Sequence, residues 1–444
     1  MTVYYVDSTA TGGANTGGNG TDAFLTYAQG ITAANANGDY IYVSHVHAES
    51  LAADTTYTFL ANIATVCVNF GTGAPATTAV IGAQAGNFAI TLVGAKNILM
   101  RGIEFKTGSN NTTPKSFTIG NSDGAHYELE NCKFTQIQSQ TAALSVGVNG
   151  SGTGNSYFRF TNCTITFAAA GQNCTFYGQV IELFNCTVAG TATTTLFTNS
   201  GNQQGNRVYL EGCDLSTQSG TLVGDRGASG TAMFTFKNCK LHASATPKSA
   251  AATVLNKGET EVWLFNCNAA DVNYSMAHYD ALGSTVASSS IYANDGAIID
   301  STRFSMQITT TANCSYFTPY TSPWFFREYT GGSTITPAIE ICRSGSATPY
   351  LDSEVWVEFL YQGTSGVPKS TLVSDRAIPP TTPANQATGD LPAASWTGKN
   401  ATSWFGKLAP AAAISPAEVG TIAARVVMGK ASDVVYADQT IRGF

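Results

Sequence analysis

Charge is what this 444-residue sequence has least of. Asp, Glu, Lys and Arg make up 11% of it, against about 25% in ordinary soluble domains. No Lys/Arg cluster occurs anywhere and the formal net charge is −7, so no nucleic-acid partner is expected. No apolar run approaches the roughly 20 residues of a membrane-spanning helix, and no membrane partner is expected either. The opening MTVYYVDSTATGG has neither a basic nor an apolar segment, which predicts no secretory leader and synthesis without export. None of the ten cysteines forms a CxxC pair, which speaks against zinc. In an unexported chain, free thiols are expected over disulfides.

What is present is repetition. The stretch Phe158-Arg159-Phe160-Thr161-Asn162-Cys163-Thr164-Ile165 returns as Ile98 to Phe105, Tyr127 to Phe134, Ile181 to Val188, Val208 to Leu215, Phe234 to Leu241 and Val262 to Ala269. Its marker residues are Gly102, Asn131, Asn162, Asn185, Gly212, Asn238 and Asn266, spaced by 29, 31, 23, 27, 26 and 28 residues. Recurrence at such a period is the signature of stacked repeats.

Each column has a physical meaning. Positions four and two before the marker are apolar throughout, as on one face of a β-strand. The position after it holds Ile103 and then Cys132, Cys163, Cys186, Cys213, Cys239 and Cys267, with another apolar residue two further on. The inward phase therefore survives a one-residue corner. A residue in the left-handed αL conformation turns the chain without flipping that phase, and Gly and Asn tolerate αL best. Only Asn and Gly stand at the markers. Stacked in register at about 4.8 Å per rung, such turns form a parallel β-helix. Its interior holds a file of six cysteines acting as small hydrophobes. Its outward columns set Glu128, Arg159 and Glu182 side by side, with Glu211 next to Lys237 and Asp214 next to Lys240, a charge-compatible register.

Before the repeats, Phe24, Tyr27, Ala28 and Ile31 fall at helical spacing with Asp22 available as N-cap. This predicts a short helix capping the open end of the coil. After Ala269 the pattern weakens. Alternation at Ile339 and Ile341, at Val355, Val357 and Phe359, and at Ile422, Ala424, Val426 and Met428 predicts an antiparallel β-sandwich, jelly-roll-like in type. Residues 363–395, with five prolines, are expected as a surface excursion. The expected divisions are 1–60 for the cap and first rung, 61–315 for the β-helix and 316–444 for the sandwich.

The opening strand Tyr4-Tyr5-Val6-Asp7, the Gly-rich loop, the capping helix and the strand Gly38-Asp39-Tyr40-Ile41-Tyr42-Val43 resemble the start of right-handed β-helices of the pectate-lyase-like superfamily. The Asn corners and Ser/Thr/Ala-rich rungs resemble structural proteins of tailed bacteriophages. The resemblance covers roughly residues 1–300. It implies an all-β, right-handed parallel β-helix of the virion, assembled in the host cytoplasm, as a homotrimer in contact with the major capsid protein or other virion proteins. The first expectation for its role is a capsid decoration or cement protein. The alternative is a tailspike-like protein that binds or depolymerises host polysaccharide, for which carbohydrate would be the partner; an aromatic and acidic groove along one rung face would favour it.

Glycoside hydrolysis needs two carboxylates about 5–10 Å apart. Glu211 and Asp214 are the best pair, but Lys237 and Lys240 beside them point to surface ion pairs. Glu259 and Glu261 next to Trp263, Asp225-Arg226 between glycines, and His278-Tyr279-Asp280 match no catalytic spacing. His45, His47 and Glu49 share a strand face at two-residue spacing, as metal ligands can; solvated polar residues are the commoner explanation. Trp324, Phe325, Phe326 and Tyr329 suit sugar stacking, a sandwich core or a subunit contact alike. No catalytic residue, cofactor or metal site is assigned from sequence.

Overall fold

The computed structural model describes residues 1–12, 15–83, 87–108, 115–120, 122–137, 142–147, 156–177, 180–199, 206–224, 231–248, 259–269, 272–279, 285–289, 305–312, 314–315, 319–329, 334, 337–344, 350, 354–363, 371–374, 396–400, 403–408, 419–438 and 441. The chain divides into two compact units, Met1–Asp271 and Val272–Phe444.

The first unit is a parallel β-helix with three faces. The first face stacks Val3–Val6, Asp39–Ser44, Ile63–Val68, Asn97–Arg101, His126–Glu130, Tyr157–Thr161, Val180–Phe184, Asn206–Glu211, Thr231–Lys237 and Glu259–Ala269, each parallel to the next. The second face begins directly after each corner and runs from Ala48–Glu49 through Ile103–Thr107 and Thr164–Phe167 to Lys240–Leu241. The third is an eight-stranded stack from Thr55–Thr58 to Thr246–Lys248. Along the core, Ile98, Tyr127, Phe158, Ile181, Val208, Phe234 and Val262 form one buried column, and Met100, Leu129, Phe160, Leu183, Leu210, Phe236 and Leu264 the next. Each such side chain contributes about 1.5–3 kcal/mol by leaving water. Rings meet across rungs, as where Phe105 stacks on Phe134 at 6.1 Å between centroids.

The corners carry the bend in single residues. Asn131, Asn162 and Asn238 have φ of 53°, Asn185 51° and Asn266 50°, while Gly102 and Gly212 stand at 75° and 67°. Directly after them, the thiols of Cys132, Cys163, Cys186, Cys213, Cys239 and Cys267 are buried and free. Each donates to a carbonyl of the rung before, as Cys163 Sγ does to Leu129 O at 3.3 Å. At Gly102 glycine is required twice over, because an added Cβ would lie 2.1 Å from the Ala76 carbonyl oxygen.

The helix Tyr27–Ala33 is capped by Thr26, not by Asp22. Thr26 accepts from the Gln29 backbone N–H and the Gln29 side chain accepts from the Thr26 N–H, a reciprocal capping box. Asp22 is instead engaged with the Thr16 hydroxyl in the preceding loop. Gly30 brings the helix against the open end of the coil, where an added Cβ would meet Val6 Cγ2 at 2.6 Å and Ile41 Cγ2 at 3.2 Å.

The second unit is antiparallel. Val272–Tyr279, Thr285–Ser289, Ser305–Thr309, Val434–Asp438, Ile339–Ser344, Ser403–Leu408 and Trp396–Asn400 make one sheet. Gly420–Met428 centres another, between Val355–Gly363 and the strands Tyr320–Thr321 and Phe325–Tyr329. Ile308, Ile339, Ile341, Val435 and Ala437 from the first share a core with Val355, Val357, Phe359, Ile422, Ala424, Val426 and Met428 from the second. The division at 271 precedes the expected 315 because the strands from Val272 onward pair antiparallel among themselves and then with Val434–Asp438. Within the expected excursion 363–395, Thr371–Ser374 is a strand paired antiparallel with Val355–Gly363, a departure from that expectation, and the five prolines lie outside the described residues.

Candidate functional site

The outward side chains of the three faces differ in kind. On the third face one outward column reads Thr56, Thr91, Thr118, Ser145, Thr175, Thr198, with the Thr175 and Thr198 hydroxyls 2.9 Å apart. On the second face it reads Glu104, Lys133, Thr164, Thr187, Asp214, Lys240. Neither of these columns contains an aromatic residue.

The first face does. Register places Tyr157, Phe184, Tyr209, Trp263 and Phe265 on its outer side together with Glu128, Arg159, Glu182, Glu211, Lys237 and Glu261. The Tyr157 hydroxyl donates to Glu182 Oε2 at 2.6 Å, and Tyr157 meets the His126 ring edge-on at 4.8 Å. The Arg159 guanidinium lies 4.8 Å from the Phe184 centroid, and Phe184 tilts against Tyr209 at 5.9 Å. Tyr209 donates to Glu211 Oε2 at 2.8 Å, and Lys237 Nζ lies 3.0 Å from Glu211 Oε1. At the far end Trp263 stacks on Phe265 at an interplanar angle of 6° and gives its indole N–H to Glu261 Oε2 at 3.2 Å. Toward the amino-terminal rungs the same side opens into a groove of about 420 Å³ lined by Tyr40, Asn62, Asn97, Leu99, His126 and Glu128, among others.

These contacts set the protonation states. Burial, helped by the neighbouring Glu182 carboxylate, pushes the Tyr157 phenol up to about 12. Burial and Glu211 raise that of Tyr209. The Tyr209 hydroxyl and then Lys237 hold Glu211 below its ordinary range. Asp214 is also lowered: burial alone would raise it, but the Ser216 hydroxyl and N–H and Lys240, at 3.4 Å, outweigh that. Glu211 and Asp214 are thus anions in ion pairs with Lys237 and Lys240, a poor arrangement for a general acid. The rings and fixed carboxylates are suited instead to binding a polar ligand with apolar faces.

The expectation that His45, His47 and Glu49 are solvated is corrected by the structure. His47 is wholly buried, Glu49 is buried and His45 is partly so. The Ser8 N–H donates to His47 Nδ1 at 2.9 Å, which leaves the imidazole proton on Nε2, 3.3 Å from Glu49 Oε2. Glu49 Oε2 also accepts from the Tyr27 N–H at 2.7 Å. The pair ties the opening strand and the capping helix to the first rung of the second face. Sequence missed it because the capping helix, which supplies the cover, is distant in the chain. Among the described residues no group of three His, Cys, Asp or Glu side chains is arranged to hold a metal ion.

The other candidates do not converge. Trp324 lies in the second unit with the Arg425 guanidinium 4.6 Å from its ring centroid, Phe325 packs on the sandwich core and Phe326 is exposed. Asp225, Arg226 and Asp280, and the side chains of Glu259, His278, Tyr279 and Tyr329, lie outside the described residues. The aromatic residues of the first face escaped the sequence reading although the marker register contained them. Tyr157, Phe184, Tyr209, Trp263 and Phe265 occupy the columns between the apolar ones, and no contiguous motif marks them.

No protein-family model matches the chain, and no curated protein matches it. Among solved structures it is similar to the enzymatically active domain of tailspike protein 4 of bacteriophage CBA120, at 9% identity and a TM-score of 0.31, over 93% of this chain and 65% of that one. It is also similar to the tailspike protein of Acinetobacter phage vB_ApiP_P1, at 11% identity and a TM-score of 0.28, over 89% of this chain and 82% of that one. The chain thus spans 65% of the length of the first of these. It is a parallel β-helix protein whose structural neighbours are bacteriophage tailspike proteins.

Proposed function

We propose that this chain is a bacteriophage virion protein whose β-helix binds host-surface polysaccharide along the outer side of its first face. The supporting observation is the run of large rings set among carboxylates on that side, against the threonine column of the third face and the charged and threonine column of the second, which carry no ring. A sugar offers apolar C–H faces to Tyr157, Tyr209 and Trp263 and hydroxyls to the fixed carboxylates between them. This reading takes the tailspike-like alternative over capsid decoration, for which no feature of the described residues speaks specifically. It brings with it a partner on the particle, the major capsid protein or another virion protein, and a homotrimer as the assembled form.

The experiment is titration of the full chain with capsular and lipopolysaccharide preparations from host bacteria, followed by tryptophan fluorescence. A saturable change that Trp263→Phe abolishes is expected. No binding by any preparation defeats the proposal. Reducing or unsaturated ends appearing during the titration would replace binding by cleavage.

A further inference from the structure

The charge inventory of the first face narrows the ligand class, on the reading that this face binds glycan. Its outer columns carry Arg101, Arg159, Arg207 and Lys237 against Glu128, Glu130, Glu182, Glu211 and Glu261. The carboxylates already have partners within the face. Glu130 accepts from Arg101 Nε at 2.9 Å, and Glu182 Oε2 accepts from Tyr157 and lies 3.8 Å from Arg159 Nε. Glu211 is held by Tyr209 and Lys237, Glu261 by the Trp263 indole, and Glu128 Oε1 lies 3.4 Å from His126 Nε2. Three of the four cations are therefore engaged with carboxylates, Arg159 while also lying over the Phe184 ring. The face has no surplus of positive charge, and the chain as a whole carries −7.

A polyanionic glycan, with a charge on each repeat, would have to displace these internal pairs and would meet net repulsion. An uncharged one loses nothing to them. It can lay successive rings on successive rungs, because a pyranose unit is about as long as the strand spacing of about 4.8 Å. The in-place carboxylates then accept from sugar hydroxyls with no reorganisation.

We infer that the polysaccharide bound by the first face is uncharged: a neutral hexose or N-acetylhexosamine chain running along the coil axis from the Tyr40–His126 groove toward Trp263, in preference to a uronate- or sialate-bearing one.

The test is an array of purified bacterial capsular and O-antigen polysaccharides, neutral and acidic, probed with the full chain at about 50 and about 500 mM NaCl, conditions that span weak to strong screening. Binders are expected among the neutral members, with affinity changing less than about twofold between the two salts. Tyr209→Ala is expected to lower that affinity about tenfold, an aromatic contact of ordinary worth. Tyr209→Phe keeps the ring and retains most of the affinity, which separates lost stacking from lost folding. An acidic member bound tightly at low salt and released at high salt would overturn the neutral assignment while leaving the glycan reading intact. Silence across the whole array would remove both.

Discussion

A corner asparagine contributes through what it tolerates as much as through what it touches. Asn185 holds φ at 51°, a conformation that costs most L-residues roughly 1–2 kcal/mol. Asn185→Ala is therefore expected to lower stability by about 1 kcal/mol in chemical denaturation, and Asn185→Gly by much less. Gly102→Ala should be the most damaging corner change, because backbone occupies the space its Cβ needs; a midpoint shift no greater than that of Asn185→Ala would contradict the packing described. The interior thiols make a second residue-level case. Burial alone raises the Cys174 thiol far above its ordinary range, and it leads the causes that raise Cys163. Thiolate is the reactive form, so Cys163 and Cys174 should resist iodoacetamide in the native protein and become labelled on unfolding, as mass spectrometry of the labelled peptides would show. The corners and the thiols were legible in sequence because each occupies a fixed offset in a repeat, and local rules suffice for them. His47 was not legible, because its burial depends on Ser8 and Tyr27, which its own strand does not specify.

At the scale of elements, the capping helix is short and leans on its ends. Thr26→Ala removes the side-chain half of the capping box and should cost about 1 kcal/mol. His47→Ala leaves the Ser8 N–H and the Glu49 carboxylate buried with one partner fewer. A loss of about 1–3 kcal/mol is expected for leaving such buried groups short of a partner. Hydrogen exchange is the informative measurement, since protection should fall in Val3–Val6 and Tyr27–Ala33 while the rungs from Asn97 onward keep theirs. Equal loss throughout would show that the cap and the coil unfold as one. The rungs before Ile98 were hidden from the sequence for a related reason. Between Ile63–Val68 and Ala79–Ile81 the one-residue corner is replaced by a loop, and the marker that betrays the later repeats is missing.

For the whole molecule, few charges mean that a few carboxylates govern the acid limit. Glu211 and Asp54 are both held below their ordinary values of 4.5 and 3.8, Glu211 first by Tyr209 and then Lys237, Asp54 first by Lys115 and then the Ala89 N–H. A depressed folded value gives stability that is complete above the ordinary value and disappears as the pH falls through the folded one. Melting temperature should accordingly stay level from neutrality down to about pH 5 and drop below about 4. Lys237→Ala should flatten part of that drop, and an unchanged profile would remove Lys237 from the account. The proposed glycan surface belongs to this scale as well, since it would draw on side chains from many successive rungs, and its columns were the least legible feature. A ligand surface on a β-helix is written as a column, one residue per turn, so no contiguous motif announces it.

The exposed ridge of corner asparagines has a slower consequence, in the chemistry of ageing. Asn266 Nδ2 donates to Asn238 Oδ1 at 2.7 Å, so the ridge is partly zipped by its own amides. Each deamidation would turn a donor into a carboxylate about 4.8 Å from the next rung, and two such neighbours repel by about 1 kcal/mol even in water. Protein kept long in storage would then loosen along one seam of the coil first, and its age could be read as added negative charge on that seam.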